Sequence, residues 1–438
     1  MARNKISEIL LSIIITLMIY VAFLYIYKNS ISPGHLYLGY NYRDLSLGVH
    51  CICVVFLLSP LLWIQIKPRR PSDIAVWLLY MFSYAPTTFV CFHVMKDPFP
   101  DALFLLTVLL LALILTELSR HHRIKLSFRL ARPVSIPLDT IFLILSMIVC
   151  TYICYLIRYN FNLDLENAYV RRLAVRESSS LISGYILAIG RSVIIIFSVY
   201  MLLIKKSKLA FITVIILSIG IFSYDKTKIA LIIPLLLVLI YILMVQKRSN
   251  VAINIILLFL VLASIVEFTC IHSDIISTYL TRRILAVPGI LNSFFWEYYS
   301  NHEKVMMADS VGRYFINATN IISPSFTIGY EYLNNIESNA NTGIWMGSYA
   351  HFGLIGILSL SMIAGFILGL VDNLTKVNFT VLGYLVCAYI GILWSEQMLH
   401  TSMLTGGVFY IIIFLIVYCK PNVMNYKDRI CGKLSRRS

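Results

Sequence analysis

Ser273-Asp274-Ile275-Ile276-Ser277-Thr278-Tyr279-Leu280-Thr281-Arg282-Arg283 opens a polar interruption that closes at Asn339-Ala340-Asn341-Thr342-Gly343-Ile344. Nothing between Ser273 and Ile344 is apolar enough to cross a bilayer. Nearly everything on either side is an apolar run broken by short basic turns. Ordinary connections between elements are a few residues long, so about 70 residues outside the hydrocarbon are far more than a turn requires. The interruption is therefore the first place to look for chemistry, and its flanks decide the fold.

Working outward, 59% of the chain is hydrophobic and 13% charged, outside the usual range of soluble domains. A helix needs about 20 apolar residues to span the hydrocarbon core. Twelve segments qualify as candidates by apolar content: 7–27, 45–66, 74–95, 101–118, 138–158, 181–204, 209–223, 227–246, 251–272, 345–370, 377–394 and 403–419. The pair 209–223 and 227–246 reads equally as two spans or as a re-entrant hairpin. The first segment lacks a small-residue cleavage site and is expected to be a retained helix. The expected fold is an all-α polytopic membrane protein of about 12 transmembrane helices in three parts: an N-terminal bundle (1–272), the long loop (273–344), and C-terminal helices with a basic tail (345–438).

The formal charge of +15 does not point to nucleic acid, because the basic residues follow the loops in alternation. With the N-terminus inside, the inside loops hold roughly 22 basic residues and the outside loops roughly 13. That places both termini in the cytoplasm and the long loop outside, with the lipid bilayer as the principal partner and some attraction to anionic lipid. The cysteines lie mostly in apolar spans and form neither a disulfide framework nor a zinc pattern.

Three outside loops nevertheless oppose this charge bias: Arg158 with Arg171, Arg172 and Arg176; Lys226 and Lys228; and Arg282-Arg283. An anionic substrate on the outer face is one reason, since guanidinium binds phosphate bidentately and stays charged. Pairing with lipid headgroups or with Glu166 and Glu177 is the other. Arg191 lies about ten residues into its span, or about 15 Å along the axis. A charge there is costly without a polar cavity or a partner. Gly184 and Ala188 share its face, so it should point into the bundle, toward Glu267 or Glu117 if its role is structural.

Candidate bases on the outer side are Glu297 and His302, with Asp309, Glu396 and His400 further on. Glu396 and His400 would share a face if that turn is helical, but no third metal ligand is apparent. Trp296, Tyr298, Tyr299, Trp345 and Tyr349 suit either an interfacial belt or a sugar-stacking platform with Asn339 and Asn341 as hydrogen-bonding partners. No phosphate loop, zinc signature or serine elbow is present.

At these residues the chain resembles bacterial O-antigen polymerases of the Wzy type, the oligosaccharide repeat unit polymerases. One stretch is Arg282-Arg283-Ile-Leu-Ala-Val-Pro288-Gly289 with Phe294-Phe295-Trp296-Glu297-Tyr298-Tyr299. The other runs from Asn339-Ala-Asn341-Thr342-Gly343 through Trp345, Tyr349 and His351 to Gly353. Asp225-Lys226-Thr227-Lys228 is similar to a basic motif of that family. The chain departs from the pattern at Gly347 and Ser348, where many members carry a carboxylate. The motif likeness covers about 60 residues, and a match of this kind needs its structural context.

The resemblance implies a GT-C-like membrane glycosyltransferase of the bacterial inner membrane, acting in lipopolysaccharide biosynthesis. Its loop would be periplasmic, and its substrates undecaprenyl-diphosphate-linked oligosaccharides. A chain-length regulator and a flippase of the same pathway would be further partners, with no cofactor and no metal. Arg172, Arg176, Arg191, Lys226, Arg282 and Arg283 would face the diphosphate, Asn339, Asn341 and Tyr349 the sugars, and His302 or Glu297 would take the acceptor proton. An O-antigen ligase and a flippase are the rival readings; no internal repeat of the kind transporters show is evident.

Overall fold

The computed structural model describes residues 2–122, 138–159, 161–163, 175, 180–246, 249–310, 312, 322–335, 338–376 and 379–419. Among the described residues it is all helical. Nine helices are long and apolar enough to cross a membrane: α1 (Ile6–Gly34), α3 (Pro71–Val94), α4 (Pro98–Ser119), α5 (Asp139–Ile157), α6 (Ile182–Lys205), α7 (Lys208–Asp225), α8 (Ile229–Gln246), α9 (Val251–Ile271) and α13 (Ile344–Thr375). Three shorter apolar helices, α2 (Leu47–Leu62), α14 (Thr380–Glu396) and α16 (Val408–Cys419), occupy the other apolar segments of the sequence. The pair α7 and α8 forms two separate helices joined by a turn at Lys226 and Thr227.

Lipid is as apolar as the side chains that face it, so these helices associate by close packing and by polar contacts between them. α3 is the central helix, with 94% of its apolar window buried. It packs along α14, while α13 packs along α4. Gly391 allows the first approach: a Cβ there would sit 2.9 Å from the Ala75 Cα.

Polar contacts gather at the two ends of the bundle. At the end that the charge bias of the sequence assigns to the inside, Lys67 pairs with Glu8 at 2.6 Å and Asn250 donates to the Gln65 carbonyl at 2.7 Å. The Arg120 guanidinium is buried there between Asp73 (2.7 Å) and Glu117 (2.5 Å), and Ser72 donates from its backbone and its hydroxyl to Asp372. At the outer end lie the residues of the polar interruption.

That interruption is not an open loop. Its described part holds α10 (Ser277–Ala286, wound in π geometry), α11 (Val287–Asn301) and α12 (Pro324–Leu333). The Glu267 carboxylate starts α10 by accepting the backbone N–H groups of Ile275 (3.1 Å) and Ile276 (2.7 Å) and the Ser273 hydroxyl (2.9 Å). α10 then descends beside α9 and α1, with Thr281 2.7 Å from Ser264 and Ser277 2.8 Å from Ser30. Ser264 precedes the outer end of α9 by seven residues, so Thr281 lies about 10 Å inside it. α10 runs directly into α11, with right-handed helical dihedrals at Ala286 and Val287. α11 lies along the outer half of α3, where the Asn292 amide donates to Thr87 at 2.8 Å and Glu297 accepts the Lys96 N–H at 3.2 Å. α10 and α11 are therefore one continuous helix with a π-wound first part.

One of the long helices is interrupted. α13 is broken at Gly353, which has φ +63°, a conformation easy only for glycine. Segment 305–307 fills the break: the N–H groups of Val305 and Met306 donate to the carbonyls of Ala350 (3.0 Å) and His351 (3.1 Å), and that of Met307 to His351 Nδ1 (3.2 Å).

Candidate functional site

The π-wound α10 carries Arg282 and Arg283. The Arg282 side chain is held from two sides: Nε donates to the Thr278 carbonyl at 3.1 Å and Nη1 to the Tyr40 hydroxyl at 3.4 Å, with the guanidinium 5.7 Å from the Tyr40 ring centroid. Arg283 is exposed, and among the described residues it has no hydrogen bond or ion pair. The Glu267 cap fixes the start of α10, and its contacts hold the Arg282 guanidinium.

The end of α14 lies at the same end of the bundle. Gly343 lies against the carbonyls of Trp394 and Ser395, and the adjacent Thr342 hydroxyl donates to Asn292 at 2.6 Å. These contacts put Glu396, the last residue of α14, in the same layer as Asn292 on α11. Glu396 is exposed, and among the described residues it has no hydrogen bond or ion pair. Desolvation by the surrounding protein raises its pKa, and the charge of Arg283 opposes that shift. The helix stops there: Gln397 is extended, and a new helix, α15 (Leu399–Leu404), begins. His400 consequently leaves the face of Glu396 and meets His351, ring centroids 4.9 Å apart. Burial pushes the His400 pKa down, with Asp309 opposing.

Arg191 sits in a π-wound turn of α6 and pairs at 3.5 Å with Asp225, the last residue of α7. Its partner is thus neither Glu267, which caps α10, nor Glu117, which holds Arg120, and its place is nearer the outer end than a mid-span residue would be. The pair remains partly open, with side-chain exposures of 25% and 14%, in keeping with the frequent placing of π-turns at functional positions.

The other residues singled out in the sequence have different surroundings. Lys226 turns inward: it is buried, and its Nζ donates to the Asn162 carbonyl at 2.6 Å. Glu297 is buried and already engaged by Lys96 Nζ (3.3 Å), the Lys96 N–H and the Tyr332 hydroxyl (3.3 Å). His302 lies on the surface, stacked on Tyr298, with Nδ1 2.8 Å from the Tyr298 carbonyl oxygen. Tyr349 is buried and stacks on Trp296 with ring centroids 4.6 Å apart, so this pair is a packed post rather than an open sugar platform. Asn339 is partly exposed and Asn341 exposed, next to the α13 start. Arg172 and Arg176, with Glu166 and Glu177, lie outside the described residues. No group of three metal-binding side chains occurs among the described residues.

Arg282 and Arg283 on α10 thus lie at the same end of the bundle as the Arg191–Asp225 pair and the end of α14. Guanidinium groups of this kind can bind a polyanion. Comparison of the chain with protein-family models, with curated proteins and with solved structures gives no match.

Proposed function

We propose that this chain is an O-antigen polymerase, joining oligosaccharide repeat units carried on undecaprenyl diphosphate at the periplasmic face of the bacterial inner membrane. The observation that carries the reading is the Arg282-Arg283 pair on α10 of a multi-pass helical bundle, with Arg283 free of hydrogen bonds and ion pairs among the described residues. A cation at a membrane bundle without such a partner can take up a mobile anion. A lipid diphosphate supplies one while its chain stays in the bilayer.

In the reaction, a hydroxyl of the acceptor repeat unit attacks the anomeric carbon of the donor, and the bond from that carbon to the phosphate oxygen breaks. The diphosphate leaves with the electron pair. Cations already in position where that charge develops lower the barrier, by about 3 kcal/mol for a well-placed donor. Arg282 and Arg283 meet the diphosphate first, and Arg191 adds to them. Arg172 and Arg176 are retained from the sequence as further candidates. Asn339 and Asn341, at the start of α13, are placed to hydrogen-bond sugar.

The test is reconstitution with lipid-linked repeat units, following chain length on a gel. Long chains should form, and Arg282→Ala and Arg283→Ala should each shorten them. A wild-type rate in both variants sinks the diphosphate role. Transfer to a lipid A core without growth of the glycan on its carrier would identify a ligase instead.

A further inference from the structure

We infer that the cleft between the ends of α1 and α9 binds a sugar of the lipid-linked substrate, with Asn29, His272 and Asp274 holding its hydroxyls. The inference rests on the polymerase reading and adds to it the place of the glycan beside the Arg282-Arg283 pair.

Three observations carry it. The first is a built cavity. It measures about 410 Å³ and is lined by Asn29, Ser30, Phe268, His272 and Asp274, with Pro33 and Gly34 beside them. Small-molecule sites occupy about 300–1,000 Å³, so the cleft has room for a sugar ring and far more than a lone ion needs. Its walls are tied together. The Ser30 and Ser277 hydroxyls meet at 2.8 Å, joining α1 to α10, and the Glu267 carboxylate takes the Ser273 hydroxyl at 2.9 Å.

The second is the chemistry of the lining. No Lys or Arg belongs to it, so the cleft does not suit the diphosphate itself. Asp274 is exposed and has no ion pair; its only side-chain bond among the described residues is a long one, 3.4 Å, from the Thr278 hydroxyl to Oδ2. His272 is exposed at the end of α9 and has no hydrogen bond or ion pair among the described residues. Asn29 donates one amide hydrogen to the Tyr25 carbonyl at 2.8 Å, which leaves its side-chain oxygen and second hydrogen for a ligand. A carboxylate, an amide and an imidazole accept from and donate to vicinal hydroxyls, while the partly buried Phe268 ring gives apolar surface for the C–H face of a sugar.

The third is placement. Asp274 accepts the Thr278 N–H at 2.8 Å through its carbonyl, so it belongs to the first turn of the rod that carries Arg282 eight residues on. Eight residues span no more than about 12 Å of axis, the reach of a few sugar rings. On the α1 side, Gly34 leads into His35, whose ring lies 5.6 Å from that of Tyr40, and Tyr40 accepts from Arg282 at 3.4 Å. Cleft and guanidinium are thus neighbours along both walls, as the sugars and the diphosphate of one substrate molecule are.

The experiment uses full-length protein in detergent. It measures binding of the free repeat-unit oligosaccharide, released from its carrier by mild acid, and separately of undecaprenyl diphosphate, together with thermal unfolding and chain growth in vesicles. The variants are Asn29→Ala, Asp274→Ala and Gly34→Trp. A Cβ at Gly34 would meet nothing within 4 Å, so the indole is accommodated and crowds the cleft. A hydrogen bond to a charged group is worth more than a factor of ten. Asp274→Ala should therefore lose at least about tenfold in oligosaccharide affinity, Gly34→Trp at least as much, and Asn29→Ala a smaller factor. All three should bind undecaprenyl diphosphate within about threefold of wild type and melt within a few degrees of it. Oligosaccharide affinity unchanged in Asp274→Ala and Gly34→Trp, in a protein that extends chains, overturns the cleft and leaves the polymerase reading standing. Loss of both ligands with a lowered melting temperature in all three variants also overturns it, because the residues are then structural. A wild-type protein that binds the oligosaccharide through Asp274 yet extends no lipid-linked chain keeps the cleft as a sugar site and sinks the polymerase reading.

Discussion

The Thr342 hydroxyl donates to the Asn292 side-chain oxygen at 2.6 Å, and the Asn292 amide donates onward to Thr87 at 2.8 Å. One buried asparagine thus joins α11 to α3 on one side and to the segment leading into α13 on the other. Asn292→Leu would leave two buried hydroxyls without this partner. An unsatisfied buried polar group costs about 1–3 kcal/mol. The expected outcome is a lower melting temperature in detergent and a shorter glycan product. Thr342→Val, which removes one of the two bonds, should give a smaller loss of stability.

Arg191 and Asp225 set a second test. Their 3.5 Å contact is partly open to solvent, and pairs of that kind contribute about 0–1 kcal/mol. Asp225→Asn should therefore leave the melting temperature within a few degrees of wild type. Arg191→Gln should leave stability equally little changed but reduce polymerisation at least about tenfold, because one positioned donor is worth more than that to a developing charge. A loss of protein yield in Arg191→Gln with the specific rate intact would make Arg191 a structural residue.

How far the sequence carried these positions follows from the physics of each. Spans such as 74–95 and 251–272 are readable because hydrocarbon thickness sets a length that only long apolar runs meet, and α3 and α9 match them closely. α10 and α11 could not be read that way: α10 mixes polar and apolar residues, and the place of the helix comes from tertiary partners, Ser264 to Thr281 and Thr87 to Asn292. Pro288-Gly289 does not break it, and the helical dihedrals continue from Ala286 through Val287. Lys226 looked like an outward cation because its neighbours Asp225 and Lys228 are charged, yet its left-handed backbone (φ 56°) accompanies a side chain directed inward to Asn162. Glu396 and His400 are four apart in sequence, but α14 ends between them, so helical spacing misassigned their relation.

The Arg120 cluster provides a control remote from the Arg282-Arg283 pair. Its guanidinium is almost fully buried between Asp73 and Glu117, and Nη1 also donates to the Ser72 hydroxyl. Removing one member of a buried ion network strands the others, at a cost of about 3–5 kcal/mol. Arg120→Met should sharply reduce the yield of folded protein. Whatever protein is recovered should bind undecaprenyl diphosphate with wild-type affinity, since the cluster lies at the inner end. A weakened affinity in folded Arg120→Met would show that the two ends are coupled.

His400 makes stability depend on pH in a defined direction. Burial lowers its pKa below the ordinary value, although Asp309 opposes the shift, and His351 is the other titratable ring in contact. The unfolded chain therefore binds a proton at a higher pH than the folded one does. Above about pH 6.5 both states are neutral and His400 adds no pH dependence. As the pH falls below that value the unfolded state takes up its proton first, and stability drops until the depressed folded pKa is passed. One such group gives a slope no steeper than about 1.4 kcal/mol per pH unit. Thermal unfolding in detergent between pH 8 and pH 5 should show a plateau and then a decline, and His400→Asn should flatten part of that decline. An unchanged slope in His400→Asn would assign the acid sensitivity to another group.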